Sequence, residues 1–269
     1  LGYWREMLSN LPAVASLPTT TPRPPTSDFA ARTEPFEIDH ELHAALDTVA
    51  KTHGVSLAMV IQAALVATLR RSGTGADIPL ALPVSGRNDE ALSNLVGFFV
   101  NTLVARHRFT GTESFADLLG QVRATNLGAF SHQDVPFERV VEALNPVRSL
   151  ASHPLAQVAY SFQSAEDVDL HLVGLQVESL PADVTTAKFD LSLKLGESRT
   201  PGGDCAGVFG VIEFRTDLFS PQEIQAFGRR LARVLDAAVS DTGIIVEDID
   251  VLDVDERHLV LYDLSLIHI

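Results

Sequence analysis

The residues best suited to acid–base chemistry lie in His132-Gln133-Asp134-Val135-Pro136-Phe137-Glu138, where an imidazole and two carboxylates share one short segment. Such a set could move protons on and off a substrate. Pro136, however, opens a helix, and a carboxylate or amide just before such a proline can satisfy free backbone N–H groups at the positive dipole end. Gln133 and Asp134 are therefore assigned a structural role, with Phe137 and Val140 anchoring the helix that follows. His40 and His43 stand three apart and could clamp a metal from one helix face, but no third ligand accompanies them. No metal is expected. The chain has no paired-glycine phosphate loop, zinc-spaced cysteines or Gly-x-Ser-x-Gly elbow, so the self-contained catalytic motifs are missing.

The elements that must position these residues follow from apolar spacing. Tyr3-Trp4-Arg5-Glu6 lies in an amphipathic helix that yields at Pro12, and the proline-rich stretch Leu17–Ser27 favours an extended strap. Ile38, Leu42, Ala45, Leu46 and Val49 recur at helical spacing and stop before Gly54, a C-cap. Ser56 caps a second helix, Leu57–Arg71. Strands are expected at Ile78–Val84 and from about Phe98 to Arg106. Ser114 caps a helix whose inner face carries Phe115, Leu118, Leu119, Val122 and Leu127. Strand-length segments follow at Leu155–Gln163, Leu170–Glu178, Lys188–Leu195 and Val208–Arg215, the last two joined by the turn-rich Glu197–Cys205. Ser220-Pro221 starts a final helix to about Ser240, and Ile244–Leu252 reads as a short strand and exit segment. The fold class is α/β, or α+β, with a mixed, mostly antiparallel sheet flanked by helices.

Composition narrows the function. The 269 residues are 46% hydrophobic, enough for a substantial core, and a formal net charge of −15 opposes binding to a phosphate backbone or an anionic membrane. Neither nucleic acid nor membrane is an expected partner. A single cysteine, Cys205, excludes an internal disulfide framework, and no secretory-type start appears at Leu1, so a cytoplasmic location is expected.

Three segments in order carry a resemblance: Gly86-Arg87 leading to Val96-Gly97-Phe98-Phe99-Val100-Asn101-Thr102, then His132–Glu138, then Arg148-Ser149 leading to His153-Pro154-Leu155. They resemble the fifth, sixth and seventh core motifs of condensation domains in non-ribosomal peptide synthetases. Tyr3-Trp4-Arg5 with Leu17-Pro18 and Arg23-Pro24, Ala187-Lys188-Phe189-Asp190-Leu191 and Thr216-Asp217-Leu218-Phe219 extend the match over roughly Leu1 to Leu261. The resemblance implies a lobe of the chloramphenicol-acetyltransferase-like fold, one of two that flank a substrate tunnel. It assigns residues 1–27 to the crossover helix and strap, 28–252 to the C-terminal lobe and 253–263 to the start of a linker toward an adenylation domain. The last six residues, 264–269, fit no pattern in the family and read as a non-native tail.

By the same resemblance, Gly86, Arg87, Gly97, Phe98, Phe99, Asn101 and Thr102 belong to a floor loop under the tunnel, with Phe98 and Phe99 filling the lobe interface. Each of these residues, taken singly, is equally compatible with a core strand holding a buried amide. A latch is implied near Ala182–Leu191, so that Thr186 faces the tunnel, while Lys188 and Asp190 could instead form a cross-strand polar pair. His132, Gln133, Asp134, Pro136, Phe137, Glu138, Arg148 and Pro154 are expected to be structural.

The family's His-His-x-x-x-Asp-Gly motif belongs to the N-terminal lobe and is missing from this chain. His43 and Asp47 have its spacing, but no doublet precedes and Thr48 replaces the glycine, so they are read as solvated helix positions. No catalytic residue is assigned and no cofactor is expected on this lobe. The 4′-phosphopantetheine arms would arrive on donor and acceptor carrier domains, the other partners being the N-terminal lobe and an adenylation domain. The implied activity of a complete domain is amide formation in secondary-metabolite assembly. Epimerization and cyclization domains share the fold, and a non-catalytic docking scaffold is the alternative of another class.

Overall fold

The computed structural model describes residues 1–12, 17, 19, 21–87, 89–92, 94–147, 149–164 and 185–258. Pro18, Arg148, Ala182, the expected strand at 170–178 and the 264–269 tail lie outside them. Six strands form one sheet: β1 (Ala31–Ile38), β2 (Asp77–Val84), β3 (Asn101–Arg108), β4 (Val158–Gln163), β5 (Leu191–Arg199) and β6 (Cys205–Arg215). Their order is β1-β6-β5-β4-β2-β3. β4 runs parallel to both β2 and β5, and the other three ladders are antiparallel. The mixed, mostly antiparallel sheet expected from the sequence is therefore present.

Seven helices accompany it among the described residues: α1 (Gly2–Met7), α2 (His40–His53), α3 (Leu57–Arg71), α4 (Phe115–Phe130), α5 (Phe137–Leu144), α6 (Pro221–Ser240) and α7 (Val254–His258). Their ends obey local chemistry. Ser56, Ser114 and Ser220 each accept a backbone N–H of the first turn, and the last two form full capping boxes with Asp117 and Glu223. Gly54 ends α2 at φ 62°, the left-handed region that glycine enters without strain. α3 is apolar almost all round and is accordingly the buried centre of the helical layer, with α2, α4 and α6 packed beside it. No single helix among the described residues is long and apolar enough to cross a membrane.

One strand is absent from the sequence expectations, and three expectations are corrected. β1 carries only two buried residues, Phe36 and Ile38, along with Pro35, so it lacks the apolar signature of a strand and exists as a sheet edge. β3 starts at Asn101 rather than Phe98, because Phe98 stands outside the sheet, 92% exposed. Leu127 points away from the inner face of α4. The Ile244–Leu252 segment forms one bridge, Ser114 to Ile245, and a 3-10 turn instead of a strand, and α7 follows it.

Charge is buried at two places where chain segments cross. Arg215 and Asp190 are each 1% exposed and 2.9 Å apart, and Arg215 also binds Asp217 at 2.6 Å and the Ala151 carbonyl at 2.6 Å. Arg23, from the proline-rich strap, forks onto the same Asp190 carboxylate and donates to Ala151 O at 2.9 Å. Asp190 is thus not the cross-strand partner of Lys188. Arg106, at the far side of the sheet, pairs with Asp77 and donates to the Met7, Ser9 and Asn10 carbonyls, closing the C-terminal end of α1. A third polar group is neutral: Gln62 and Asn126 exchange amide hydrogen bonds at 3.0 and 2.7 Å, and Gln62 Nε2 donates to His107 Nε2 at 3.3 Å. Complete burial lowers the pKa of His107 to about 4.

Two outcomes follow. Arg215→Leu strands Asp190 beside a single remaining arginine and should cost about 3 to 5 kcal/mol in denaturant unfolding; a loss under 1 kcal/mol would show the cluster to be dispensable. His107 stays neutral when folded and gains a proton when unfolded, so its contribution is complete above pH 6.5 and is lost as pH falls toward 4. Between pH 6 and 5 this one group should raise the unfolding constant about sevenfold. His107→Gln should remove that component, measured as the difference between wild-type and variant unfolding at the two pH values.

Candidate functional site

Asn101 is the residue from which the site is built. It is the first residue of β3, and its side-chain amide uses every hydrogen-bonding position it has. Nδ2 donates to the Gln133 and Val135 carbonyls at 2.8 and 3.0 Å, while Oδ1 accepts the backbone N–H groups of Thr102 at 2.8 Å and Phe137 at 3.0 Å. One side chain thus fixes the loop entering β3 to the turn that starts α5. The Phe137 N–H in the first turn of α5 is thus satisfied from this distant strand. Gln133 supplies its carbonyl to the network.

Before β3 the chain folds back on itself. Gly86 has φ 66°, and a Cβ there would lie 1.9 Å from the Phe99 carbonyl oxygen, so no other residue fits without moving backbone. Arg87 lays its guanidinium over the Phe99 ring at 4.5 Å and donates to the Leu92 and Leu95 carbonyls, bracing the loop from inside. Gly97 lets the same ring approach to 3.0 Å of where its Cβ would be. With Phe99 held, the neighbouring apolar groups turn outward: Val96 is 105% exposed and Phe98 92%.

These segments wall a cleft of about 450 Å³. Gly86, Phe98, Phe99, Asn101 and Thr102 line one side; Gln133, Asp134, Pro136, Phe137 and Glu138 line the other, and Lys188 closes it. Two further clefts adjoin through shared residues: one includes Phe137, Glu138, His153, Pro154 and Lys188, the other Phe29, His153, Pro154, Thr186 and Lys188. The structure thus brings together most residues that the sequence singled out. Three stand apart. His132 sits behind the wall, stacked on Tyr3 at 4.1 Å, with its carbonyl accepting from Trp4 Nε1. Asp190 is in the buried ion cluster, and Arg148 lies outside the described residues.

His153 precedes Pro154 in the third motif, where the sequence assigns it no role. Its ring lies between Phe137 and Phe189, and burial, with the Lys188 charge adding to it, lowers its pKa to about 4. The only sequence signal was a histidine before Pro154. His43 is also corrected: it is buried, with Nδ1 accepting from Gly207 N–H and Nε2 donating to Glu197 Oε1, each at 3.1 Å, which braces α2 on the β5–β6 hairpin. Asp47 pairs with Lys51 at 2.6 Å and Arg199 at 3.1 Å. Among the described residues no group of three or more His, Cys, Asp or Glu could hold a metal. Among the described cleft residues, the His153 imidazole meets a backbone carbonyl, Ala156 O, at 3.1 Å.

Comparison with known proteins agrees with this architecture. The family description "Condensation domain" matches residues 1–261. A dimodular nonribosomal peptide synthase of Bacillus subtilis is 44% identical over 263 residues, 98% of this chain and 11% of that protein. An isonitrile lipopeptide synthase of Mycobacterium tuberculosis is 40% identical over 257 residues, 96% of this chain and 10% of that protein. The chain therefore spans a small part of the synthetases it matches. Among solved structures, the X-domain from teicoplanin biosynthesis superposes with TM-score 0.88 at 28% identity, over 93% of this chain and 56% of that one. A four-domain nonribosomal peptide synthetase gives TM-score 0.81 over 95% of this chain and 20% of that one, at 23% identity, a likeness of fold. The motifs, the sheet and these matches converge: the chain belongs to the condensation-domain family of nonribosomal peptide synthetases, with the chloramphenicol-acetyltransferase-like fold.

Proposed function

We propose that this chain is the C-terminal lobe of a condensation domain and that, completed by an N-terminal lobe, it forms the amide bond between two carrier-tethered thioester substrates. The observation that carries this reading is the cleft itself. Four segments far apart in sequence, 86–102, 133–138, 153–154 and 186–188, come together around room for a substrate. Such a half-site holds reactants and leaves the proton to a partner. On this reading residues 1–27 are the crossover and strap, 28–252 the lobe, and 253–263 the beginning of a linker to an adenylation domain.

In the reaction the acceptor amine attacks the donor thioester carbonyl, a C–N bond forms, the C–S bond breaks and the donor thiol leaves. The proton lost by the amine passes to a histidine of the partner lobe's His-His-x-x-x-Asp-Gly motif, and one returns to the departing sulfur. This lobe's share is positioning, through which bound reactants gain most of their advantage over reactants free in solution. The 4′-phosphopantetheine arms belong to the donor and acceptor carrier domains, so the lobe itself needs no cofactor. Asn101 holds the floor of the cleft, and the buried Asp190 holds the segment bearing Thr186 and Lys188. Val96 and Phe98 would rest against the partner lobe.

A second reading, a docking scaffold without chemistry, draws on the similarity to the X-domain, which has been solved in complex with OxyB. Product formation separates the two. Incubated with loaded donor and acceptor carrier proteins, the chain alone should give no peptide above the buffer rate, and adding an N-terminal lobe in trans should produce it; absence of product with both lobes correctly folded favours the scaffold. Exposure of Val96 and Phe98 should also make the isolated chain self-associate or bind a hydrophobic dye, and the added lobe should suppress both. A dye-silent monomer would mean that this edge needs no partner.

A further inference from the structure

His153 is surrounded in a way that leaves one part of its ring unused. Phe137 stacks on the ring at 5.3 Å, and Phe189 lies tilted against it at 4.4 Å. Nδ1 is 3.1 Å from the Ala156 carbonyl, which can only accept, so the ring proton resides on Nδ1 and Nε2 carries a bare lone pair. His153 lines two clefts, and with Phe137 and Phe189 against the ring and Nδ1 occupied, Nε2 is the ring nitrogen left to meet a ligand there. Among the described residues no group donates to Nε2. The ring cannot swing away easily. Phe189 precedes Asp190, which is buried in the ion cluster, and Phe137 is pinned at its N–H by Asn101.

A rigid, neutral acceptor selects its ligand by chemistry. A carboxylate has no proton to offer, and with Lys188 set beside Glu138 and Glu142 on the same cleft the ligand need bring no charge of its own. What fits is a neutral N–H donor on a chain slender enough for the space between α5 and the Thr186–Lys188 segment. A thioester-bearing pantetheine arm carries such a donor in the amide nearest its sulfur.

The geometry points to His153 as a positioning residue, whose Nε2 accepts a hydrogen bond from that amide N–H and so sets the depth of the thioester in the cleft. This assignment rests on the reading above that carrier-borne thioesters use the cleft. No bond is made or broken at His153.

The test uses the full chain and two probes: S-acetyl pantetheine, and an analogue in which the amide nitrogen nearest the sulfur is replaced by an ester oxygen. In ¹⁵N spectra of histidine-labelled protein, the amide probe should move the His153 Nε2 resonance toward the hydrogen-bonded range, and the ester should leave it in place. Wild type should bind the amide about 5- to 10-fold more tightly than the ester, the scale of one neutral hydrogen bond. His153→Phe retains an aromatic ring between Phe137 and Phe189 and should bind both probes alike. If that variant fails to fold, the wild-type preference and the Nε2 shift decide alone. Equal affinity of wild type for the two probes, or a still Nε2 resonance while Lys188 signals move, would overturn the role of His153 and leave the proposed function standing. If neither probe perturbs any cleft residue, the entry route falls and the proposal falls with it.

Discussion

The arrangement of this fold depends on a buried ion cluster. Two arginines, Arg23 and Arg215, and two aspartates, Asp190 and Asp217, meet with the Ala151 carbonyl where the strap, the start of β5 and the end of β6 cross. Formal charge balances within the group, and that balance is the condition for burying it: a charge removed from water must be met by an opposite one with its hydrogen bonds in place. The same crossing is reinforced by backbone. Ala31 N–H donates to Thr185 O and Ala187 N–H to Phe29 O, so the start of β1 and the segment 185–187 form a small ladder beside the ions. Phe29, at φ 56°, holds a conformation unfavourable for an aromatic residue and lays its ring against the Arg215 guanidinium at 5.4 Å.

Asn101 performs the equivalent task on the opposite wall of the cleft, without charge. Both devices join segments distant in sequence: Asn101 fills all four of its hydrogen-bonding positions, and Arg215 binds two carboxylates and a carbonyl. Apolar packing is tolerant of small shifts, whereas hydrogen-bonded ions and amides accept only a narrow range of geometry. The sheet and α3 supply the bulk of the core, and these polar joints set where the walls of the cleft stand.

What could be read from the sequence was what local chemistry determines. Ser56, Ser114, Ser220 and Gly54 mark helix ends because a cap acts within one turn, and the runs around Ile78–Val84 and Val208–Arg215 reveal strands buried in the sheet. β1 escaped because an edge strand with two buried residues lacks the alternation that marks a half-buried one. The joints escaped for another reason. Arg23 and Asp190 are 167 residues apart and Asn101 and Gln133 are 32 apart, and no periodicity links a charge to a partner at such distances. His43 looked like a solvated helix position because its partners, Glu197 and Gly207, lie on a hairpin more than 150 residues away. The motifs did mark the cleft, since the residues they contain line it in space.

The sheet order has a kinetic consequence. β1 pairs along its whole length with β6, from Ala31 opposite Arg215 to Ile38 opposite Val208, and its other edge has no partner among the described strands. During synthesis β1 is therefore left without its neighbour until all the other described strands have emerged, and loop closure of that span slows the pairing. An unpaired strand exposed for so long invites association with other nascent chains. Arg32, Glu34 and Glu37 along it, with Pro35 lacking an N–H to offer, make it a poor template for a stranger while leaving its register with β6 intact. The weak strand signature that hides β1 in the sequence is, in these terms, protection for the newborn chain.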